Sequence, residues 1–253
     1  MEAALVPGLL VFGVVVATAV AGYGWWQDDR RRRLLVSFCA AEGWGYTARD
    51  DSVPSRWRGT PFDTGHNRRS RNVINGVAHG RSFVAFDYSY QTDSRRRGLG
   101  GAEQGGGTQH FAVVGVSLPA WLPTMQIVPA SVLSRVEAAI GIGSEIQLES
   151  EDFNRRFRVT ARQPKFASDV LAPSTMQALL SAPVLAWRIE GPELIAWASG
   201  KLDPADLLVR LATIRAVVEG IPSFVWADHG YQDRRYDADA SVVPLPPADE
   251  GAA

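Results

Sequence analysis

The sequence predicts an α+β fold, in which an N-terminal transmembrane helix precedes one globular domain with a largely antiparallel sheet and packed helices. Three observations lead to this class. The first 26 residues are almost uncharged, residues 82–91 alternate apolar and polar side chains, and a well-capped apolar helix follows Asp203. Hairpin strands with helices between the groups favour α+β over a doubly wound α/β sheet. A chain of 253 residues is long enough to bury a core beside such an anchor.

The N-terminal apolar run is long enough to cross a membrane. No charged residue lies between Ala3 and Trp26, and about 20 apolar residues span the hydrocarbon core of a bilayer. Aromatic side chains settle at the headgroup level, and arginines stay on the cytoplasmic side. We therefore predict a retained signal anchor over residues 1–27. The membrane-interface residues are then Tyr23, Trp25, Trp26, Arg30, Arg31, Arg32 and Arg33.

This anchor predicts a single-pass protein of the cell membrane, with its N-terminus outside and its globular domain in the cytoplasm. The predicted partners are the lipid bilayer and its anionic headgroups, since residues 28–97 hold 14 arginines against 8 acids. The alternative is a secretory signal, cleaved after the small residues 19–21, that releases a secreted chain. Such a signal carries positive charge before a shorter apolar run, whereas here the arginines follow a long one.

One α+β domain is predicted over residues 28–229. The helical period continues through Phe38 and Cys39, and Gly43 ends this first helix. Residues 47–72 are rich in turn-forming and polar side chains and predict a loop, with a short strand near Trp57. Residues 72–92 predict a hairpin that turns at Gly80 and Arg81.

The middle of the domain alternates short strands and helices. Residues 93–109 predict a mobile Gly/Arg loop, and strands are predicted at 110–119 and 124–129. A short helix over 131–141 and a strand over 144–150 follow. The sequence SEDF at 150–153 is typical of a helix N-terminus and leads into another strand.

The last third contains the best-specified helix. Residues 173–183 predict one helix, and 184–200 predict a hairpin that turns at residues 191–192. The next helix has Asp203 as its N-cap and Pro204 at its first position, and it ends at Gly220. Residues 223–228 predict a final strand. Residues 230–253 predict a disordered, acidic, Pro-containing tail.

Composition argues against several function classes. A formal net charge of −1 is not that of a nucleic-acid-binding domain. Cys39 is the only cysteine, so the chain cannot form an internal disulfide. The glycines of 98–107 lack the lysine of a phosphate-binding loop, and no two histidines have the helical spacing of a zinc site. The sequence therefore predicts neither a cofactor nor a metal.

The only candidate catalytic residues are His79, Asp87 and His110. The two histidines are expected at the ends of neighbouring strands, with Asp87 on one of them, an arrangement that would suit a membrane-tethered hydrolytic enzyme. Ordinary surface or turn histidines are the competing interpretation. Because no catalytic signature is present, the preferred prediction is a protein-interaction or scaffolding module at the cytoplasmic membrane, with a protein partner.

Three segments carry a resemblance to a family: GRSFVAFDYSY, HFAVVGVSLPAWLPTMQIVP and EDFNRRFRV, in that order after an N-terminal span. Over residues 76–160 the chain resembles a group of uncharacterised single-pass membrane proteins of high-GC Gram-positive bacteria. The resemblance implies an anchored globular domain. No activity is assigned to that group, so it implies no role for any residue.

Overall fold

The computed structural model describes residues 5–92, 107–132 and 143–231, and within the first helix it describes side chains only at Thr18 and from Gly22 onward. Among the described residues the chain is α+β with an antiparallel sheet, as predicted. The predicted helix over 131–141, most of the loop over 93–109 and nearly all of the tail over 230–253 lie outside these residues. Most of the predicted membrane span lies outside the described side chains. No helix among the described residues is long and apolar enough to cross a membrane.

The described strands number seven and the helices six. The strands are β1 (Gly45–Arg49), β2 (His66–Ala78), β3 (Arg81–Gln91), β4 (Thr108–Pro129), β5 (Ser144–Ile146), β6 (Phe157–Ala161) and β7 (Ala186–Ser199). The helices are α1 (Leu5–Glu42), α2 (Glu151–Arg156), α3 (Pro164–Val170), α4 (Pro173–Ser181), α5 (Pro204–Gly220) and α6 (Ser223–Asp228).

All the strands form one sheet around β4. Its order is β1-β2-β3-β4-β6-β5, and β7 runs along the other edge of β4. The first half of β4 lies between β3 and β7, where Val113 pairs with Phe86 and with Trp197. The second half lies between β6 and β7, where Ile127 pairs with Val159 and Trp187. β4 is therefore the strand that joins the two halves of the sheet.

The two faces of the sheet bury different partners. On one face the helices pack, and Leu35 and Cys39 of α1 join Leu207 and Ile214 of α5 in the larger apolar core. On the other face the chain between β1 and β2 packs, and Trp57 stacks on Phe86 with ring centroids 5.8 Å apart. Because successive side chains of a strand alternate between faces, β3 contributes to both cores.

A buried arginine fastens the smaller core to the sheet. Arg188 on β7 is 2% exposed and donates hydrogen bonds to the backbone carbonyls of Arg58 and Thr60. Its charge is balanced by Glu190, whose carboxylate lies 3.0 Å away. A buried charge is tolerated when it is paired and hydrogen-bonded in this way. Arg188 therefore ties the β1–β2 connection to the centre of the fold.

Several sequence predictions are confirmed. The hairpin β2–β3 turns at residues 79–80, and Arg81 already begins β3. Ser150 caps α2 by accepting a hydrogen bond from the Phe153 amide, and Asp203 caps α5 in the same way from the Asp206 amide. Caps and tight turns depend on a few neighbouring residues, so these elements can be predicted from the local sequence.

The predicted hairpin at 184–200 is wrong. The chain forms one bent strand, β7, which pairs with β4 from Trp187 to Ser199. Gly191 has a φ of +61° and lies opposite Leu122, at a register shift in β4, so the glycine bends the strand instead of reversing it. The predicted strands at 110–119 and 124–129 are likewise two halves of β4.

Two other predictions are also corrected. Residues 223–228 form the short helix α6, which buries Val225 and Trp226, and not a strand. The region predicted as a loop over 47–72 contains most of β1 and the start of β2. Trp57 does not lie on a strand but follows a short 3₁₀ turn. These strands lie at the edge of the sheet, where most of their side chains are exposed and polar. Their sequences therefore lack the apolar alternation that predicts a strand.

Candidate functional site

The three candidate catalytic residues do not come together. His79 lies at the β2–β3 turn, where its Nδ1 is 3.4 Å from Nη1 of Arg215 on α5. Asp87 and His110 lie toward the other end of the hairpin, where His110 pairs with Ser89, two residues from Asp87. His79 lines one cleft, and Asp87 and His110 line another. The geometry thus leaves the predicted three-residue site unformed.

The carboxylate of Asp87 is occupied by structural hydrogen bonds. Its Oδ2 accepts from Nη2 of Arg31 at 2.8 Å and from Nδ2 of Asn72 at 2.7 Å, and its Oδ1 accepts from the Leu202 amide at 2.6 Å. Arg31 in turn donates to the Leu202 carbonyl at 2.6 Å. Asp87 therefore joins helix α1, strand β2 and the β7–α5 connection, which is the role of an anchor and not of a free acid or base.

A backbone distortion prepares this network. Asn72 has a φ of +50° and lies at a register shift between β2 and β3, so the extra residue turns its side chain toward Asp87. The amide oxygen of Asn72 accepts a hydrogen bond from the Tyr46 hydroxyl at 2.7 Å. Burial raises the pKa of Tyr46, and the charge of Arg32 opposes that effect. The hydroxyl therefore stays protonated and able to donate at neutral pH.

A polar cleft of about 680 Å³ lies between α1 and the ends of strands β1 to β4. Its floor is one face of β3, on which the side chains change from Phe83 and Ala85 to Asp87, Ser89 and Gln91. The core helices cover the apolar part of that face, and the polar part is left open beside α1. We call this cavity the basic cleft. Its charged lining residues are Asp28, Asp29, Arg31, Arg32, Arg49, Arg69, Arg71, Asp87 and Lys201.

The cations of the basic cleft outnumber its carboxylates by six to three. Arg31 is paired with Asp87, and Lys201 is paired with Asp28 at 2.6 Å. Arg49 is drawn to Asp51 outside the cleft, and this contact with Arg49 is the main reason why the pKa of Asp51 is lowered. The cleft thus keeps a positive excess after its ion pairs are formed.

The predicted membrane-interface residues separate into two groups. Tyr23, Trp25 and Trp26 are 62%, 73% and 47% exposed, and Arg30 lies over the Trp26 ring at 5.7 Å. Arg31 instead turns inward to Asp87, with 20% of its side chain exposed. The sequence does not distinguish Arg31 from the other predicted interface residues. Only the structure shows that Arg31 lies on the face of α1 that contacts the domain.

The remaining predicted interface arginines stay on the surface of α1. Arg33 pairs with Asp29 one turn earlier, at 2.5 Å, and 71% of its side chain is exposed. Arg32 lies at the wall of the basic cleft. Among the described residues no group of three or more His, Cys, Asp or Glu side chains could hold a metal ion.

Sequence reasoning missed most of the basic cleft. Arg49, Asn72 and Lys201 were not singled out, because they come from three segments that only the fold brings together. One signal was available: the change along β3 from Phe83 and Ala85 to Asp87 and Ser89 on the same face. A strand whose buried face becomes polar partway along its length indicates where the core ends and an open surface begins.

Comparison with known proteins identifies the fold. No family model matches the chain, and no curated protein matches it. Among solved structures, the chain is similar to the crystal structure of the mycobacterial trehalose monomycolate transport factor A, TtfA, with a TM-score of 0.53 and 13% sequence identity. The match covers 76% of this chain and 96% of that one. At this identity the likeness concerns the fold alone, and the α+β domain built on β4 is thus an architecture that a solved protein shares.

Proposed function

We propose that this protein is a membrane-anchored interaction module that assists the transport of a lipid. The observation that carries the proposal is the direct docking of α1 on the domain. Arg31, Leu35 and Cys39 attach the helix that continues from the apolar run to the sheet and to the core. No flexible linker intervenes, so the domain is held at a set position beside the bilayer, as a scaffolding module requires.

The shared fold supports the lipid-related part of this proposal. The protein with a similar structure is named as a transport factor for trehalose monomycolate. The alternative function, a membrane-tethered hydrolytic enzyme, needs His79, Asp87 and His110 at one site, and they line two different clefts.

Topology follows from the same proposal. The arginines after the apolar run place the globular domain in the cytoplasm and the N-terminus outside. Alkaline phosphatase and a fluorescent protein, fused in turn to the C-terminus, report the side of the membrane. We expect fluorescence without phosphatase activity. Active phosphatase, or a mature chain that begins at Gly22, would contradict this topology.

The interaction role is tested by crosslinking in native membranes. The full-length protein should capture at least one specific protein partner, and variants that lack residues 93–109 or 230–253 show which segment contributes to the contact. A variant with His110→Ala serves as the control, because an interaction module should retain its partner without this histidine. Recovery of no specific partner by any version would remove the proposal.

A further inference from the structure

Three arginines of the basic cleft have no acidic partner. Arg32, Arg69 and Arg71 form no salt bridge with a described carboxylate, whereas the other cations of the cleft each have one. Arg69 donates to the amide oxygen of Asn67 at 3.1 Å. Its charge also helps to lower the pKa of Asp51, but that carboxylate already forms a salt bridge with Arg49. Guanidinium groups that share one cavity repel one another unless an anion lies between them.

The register of the sheet places a further positive charge beside Arg71. Arg71 is directly opposite Arg49 across the β1–β2 pair, and it is opposite Asp87 across the β2–β3 pair. Like charges directly opposite each other destabilise a sheet. Asp51 forms a salt bridge with Arg49, but Arg71 forms none with a described carboxylate, and the oxygens of Asp87 already accept hydrogen bonds from Arg31, Asn72 and Leu202. An external anion beside Arg71 would therefore add compensation that the ion pairs of the cleft do not supply.

The lining of the cleft also contains hydroxyl and imidazole groups that can hydrogen-bond to a ligand. Ser89 and Thr108 supply hydroxyl groups, and His110 supplies an imidazole next to them on β4. Guanidinium forks together with hydroxyl donors are the groups that recognise a phosphate. A volume of about 680 Å³ exceeds what one phosphate needs, so the cleft has room for a larger molecule that carries a phosphate.

We propose that the basic cleft binds the phosphate group of an anionic ligand, with Arg32, Arg69 and Arg71 as its binding cations. The ligand is either the headgroup of an anionic lipid or a soluble phosphate ester, since both present the same group. Trp25 lines the cleft and is 73% exposed beside Tyr23 and Trp26, which favours a headgroup. Only this choice of source rests on the membrane placement proposed above.

A matched pair of double variants tests the site. R32Q/R71Q removes two cleft cations, one from α1 and one from β2. R30Q/R68Q removes the same charge from the same two elements, but outside the cleft. Full-length protein in neutral detergent micelles is titrated calorimetrically with inorganic phosphate and with dihexanoyl-phosphatidylglycerol. Because the two probes differ in what surrounds the phosphate, the ratio of their affinities identifies the source.

We expect R32Q/R71Q to weaken binding of both probes by at least about tenfold, since each charge-assisted hydrogen bond contributes about one such factor. R30Q/R68Q should change the affinities by less than about twofold, an effect of general screening only. Tighter binding of the lipid than of phosphate assigns the site to a headgroup, and equal binding assigns it to a soluble ester. Equal loss in both variants, or no saturable binding by the wild type, would overturn the proposal.

A folding control keeps the test decisive. If the thermal midpoint of R32Q/R71Q falls, R71Q alone is compared with R68Q, because Arg71 is exposed and forms no salt bridge with a described carboxylate, and Arg68 has only an exposed contact of 3.7 Å with Asp63. Failure of phosphate binding would leave the crosslinking result unaffected, and loss of the protein partner would leave phosphate binding unaffected. The two proposals therefore fail separately.

Discussion

Asp87 is the residue on which the docking of α1 depends most. One carboxylate receives hydrogen bonds from a helix, a strand and a loop, and it is 12% exposed. A partly buried charge with this many donors is costly to unpair, because removing it leaves the facing arginine without compensation. The histidine-rich site that the sequence suggested around Asp87 is thus replaced by a structural junction.

A double-mutant cycle measures this junction. Asp87→Ala should lower the free energy of unfolding by about 2–3 kcal/mol, because it leaves Arg31 and Asn72 with unused donors. Arg31→Ala with Asp87→Ala should cost less than the sum of the two single changes, by about 1–2 kcal/mol. Denaturant unfolding followed by tryptophan fluorescence supplies the energies. Arg33→Ala, in an exposed pair, is the control and should change stability by less than about 0.5 kcal/mol. Strict additivity would show that Arg31 and Asp87 are not coupled.

Ionisation of Tyr88 should lower the free energy of unfolding at alkaline pH. It is 1% exposed, its hydroxyl donates to the Phe62 carbonyl at 3.0 Å, and burial raises its pKa to about 12. The unfolded chain ionises near pH 10, so the folded state holds this proton more tightly. The contribution is therefore fully present below about pH 10 and is lost as the pH rises to about 12.

Tyr88→Phe should remove the share of Tyr88 in that alkaline loss, while Tyr46 and Tyr90, whose pKa burial also raises, keep theirs. At pH 7 it should cost about 1 kcal/mol for the missing hydrogen bond. Unfolding free energies between pH 8 and 12, for the wild type and Tyr88→Phe, measure both effects. Tyr23→Phe is the control, since Tyr23 is exposed and the variant should follow the wild-type curve. An unchanged slope in Tyr88→Phe would mean that another group carries the alkaline transition.

Among the elements, α1 has one docked face. Leu35 is fully buried and Cys39, one turn later, is 1% exposed, while Leu34 and Val36, on either side of Leu35 in the sequence, are 52% and 41% exposed. Phe38 extends the contact through an edge-to-face pair with Trp44. The i, i+4, i+8 spacing of Arg31, Leu35 and Cys39 is visible in the sequence, but the elements that these side chains contact are not.

Cys39 reports whether α1 is docked. Burial raises the pKa of its thiol, and the docked helix keeps reagents away. In the full-length protein we expect slow labelling by a maleimide, and labelling at least about tenfold faster in Asp87→Ala, because the docked state loses more than one hydrogen bond. S37C/C39A places a thiol on the exposed face of the same helix and should react at once in both backgrounds. Fast labelling of Cys39 in the wild type would mean that α1 is not held to the domain.

Elements with local signals were predictable, and elements defined by partners were not. The cap at Asp203 and the β2–β3 turn each depend on a few neighbouring residues. The cap lies at the predicted residue, and the turn, predicted at Gly80 and Arg81, lies one residue earlier, at 79–80. Gly191 and Pro192 suit a turn and so predict a hairpin, whereas the pairing with β4 on both sides of them shows that β7 continues through these residues. Propensity cannot distinguish a strand that bends from one that reverses, since both use the same residues.

At the scale of the molecule, the class of fold followed from the sequence while the cleft did not. Alternation along β3 and the helix period of α5 are enough for an antiparallel sheet with helices on it. The basic cleft needs residues from α1, four strands and the β7–α5 connection. Their sequence separation reaches more than 170 positions, as in the Lys201–Asp28 pair. Composition showed an excess of arginine in this half of the chain but not the cavity that collects it.

Because α1 is one continuous helix, its number of residues sets the orientation of the domain about the helix axis. A helix advances about 1.5 Å and rotates about 100° with each residue, so Leu5–Glu42 acts as a shaft about 57 Å long, clamped to the domain at one end. Inserting one residue between Trp26 and Arg31 would rotate the domain by about 100° relative to the N-terminal end of the helix, whereas inserting seven would return it to within about 20° of its original direction. The direction in which the cleft faces, measured around the axis of α1, is therefore set by the number of helical residues that precede it.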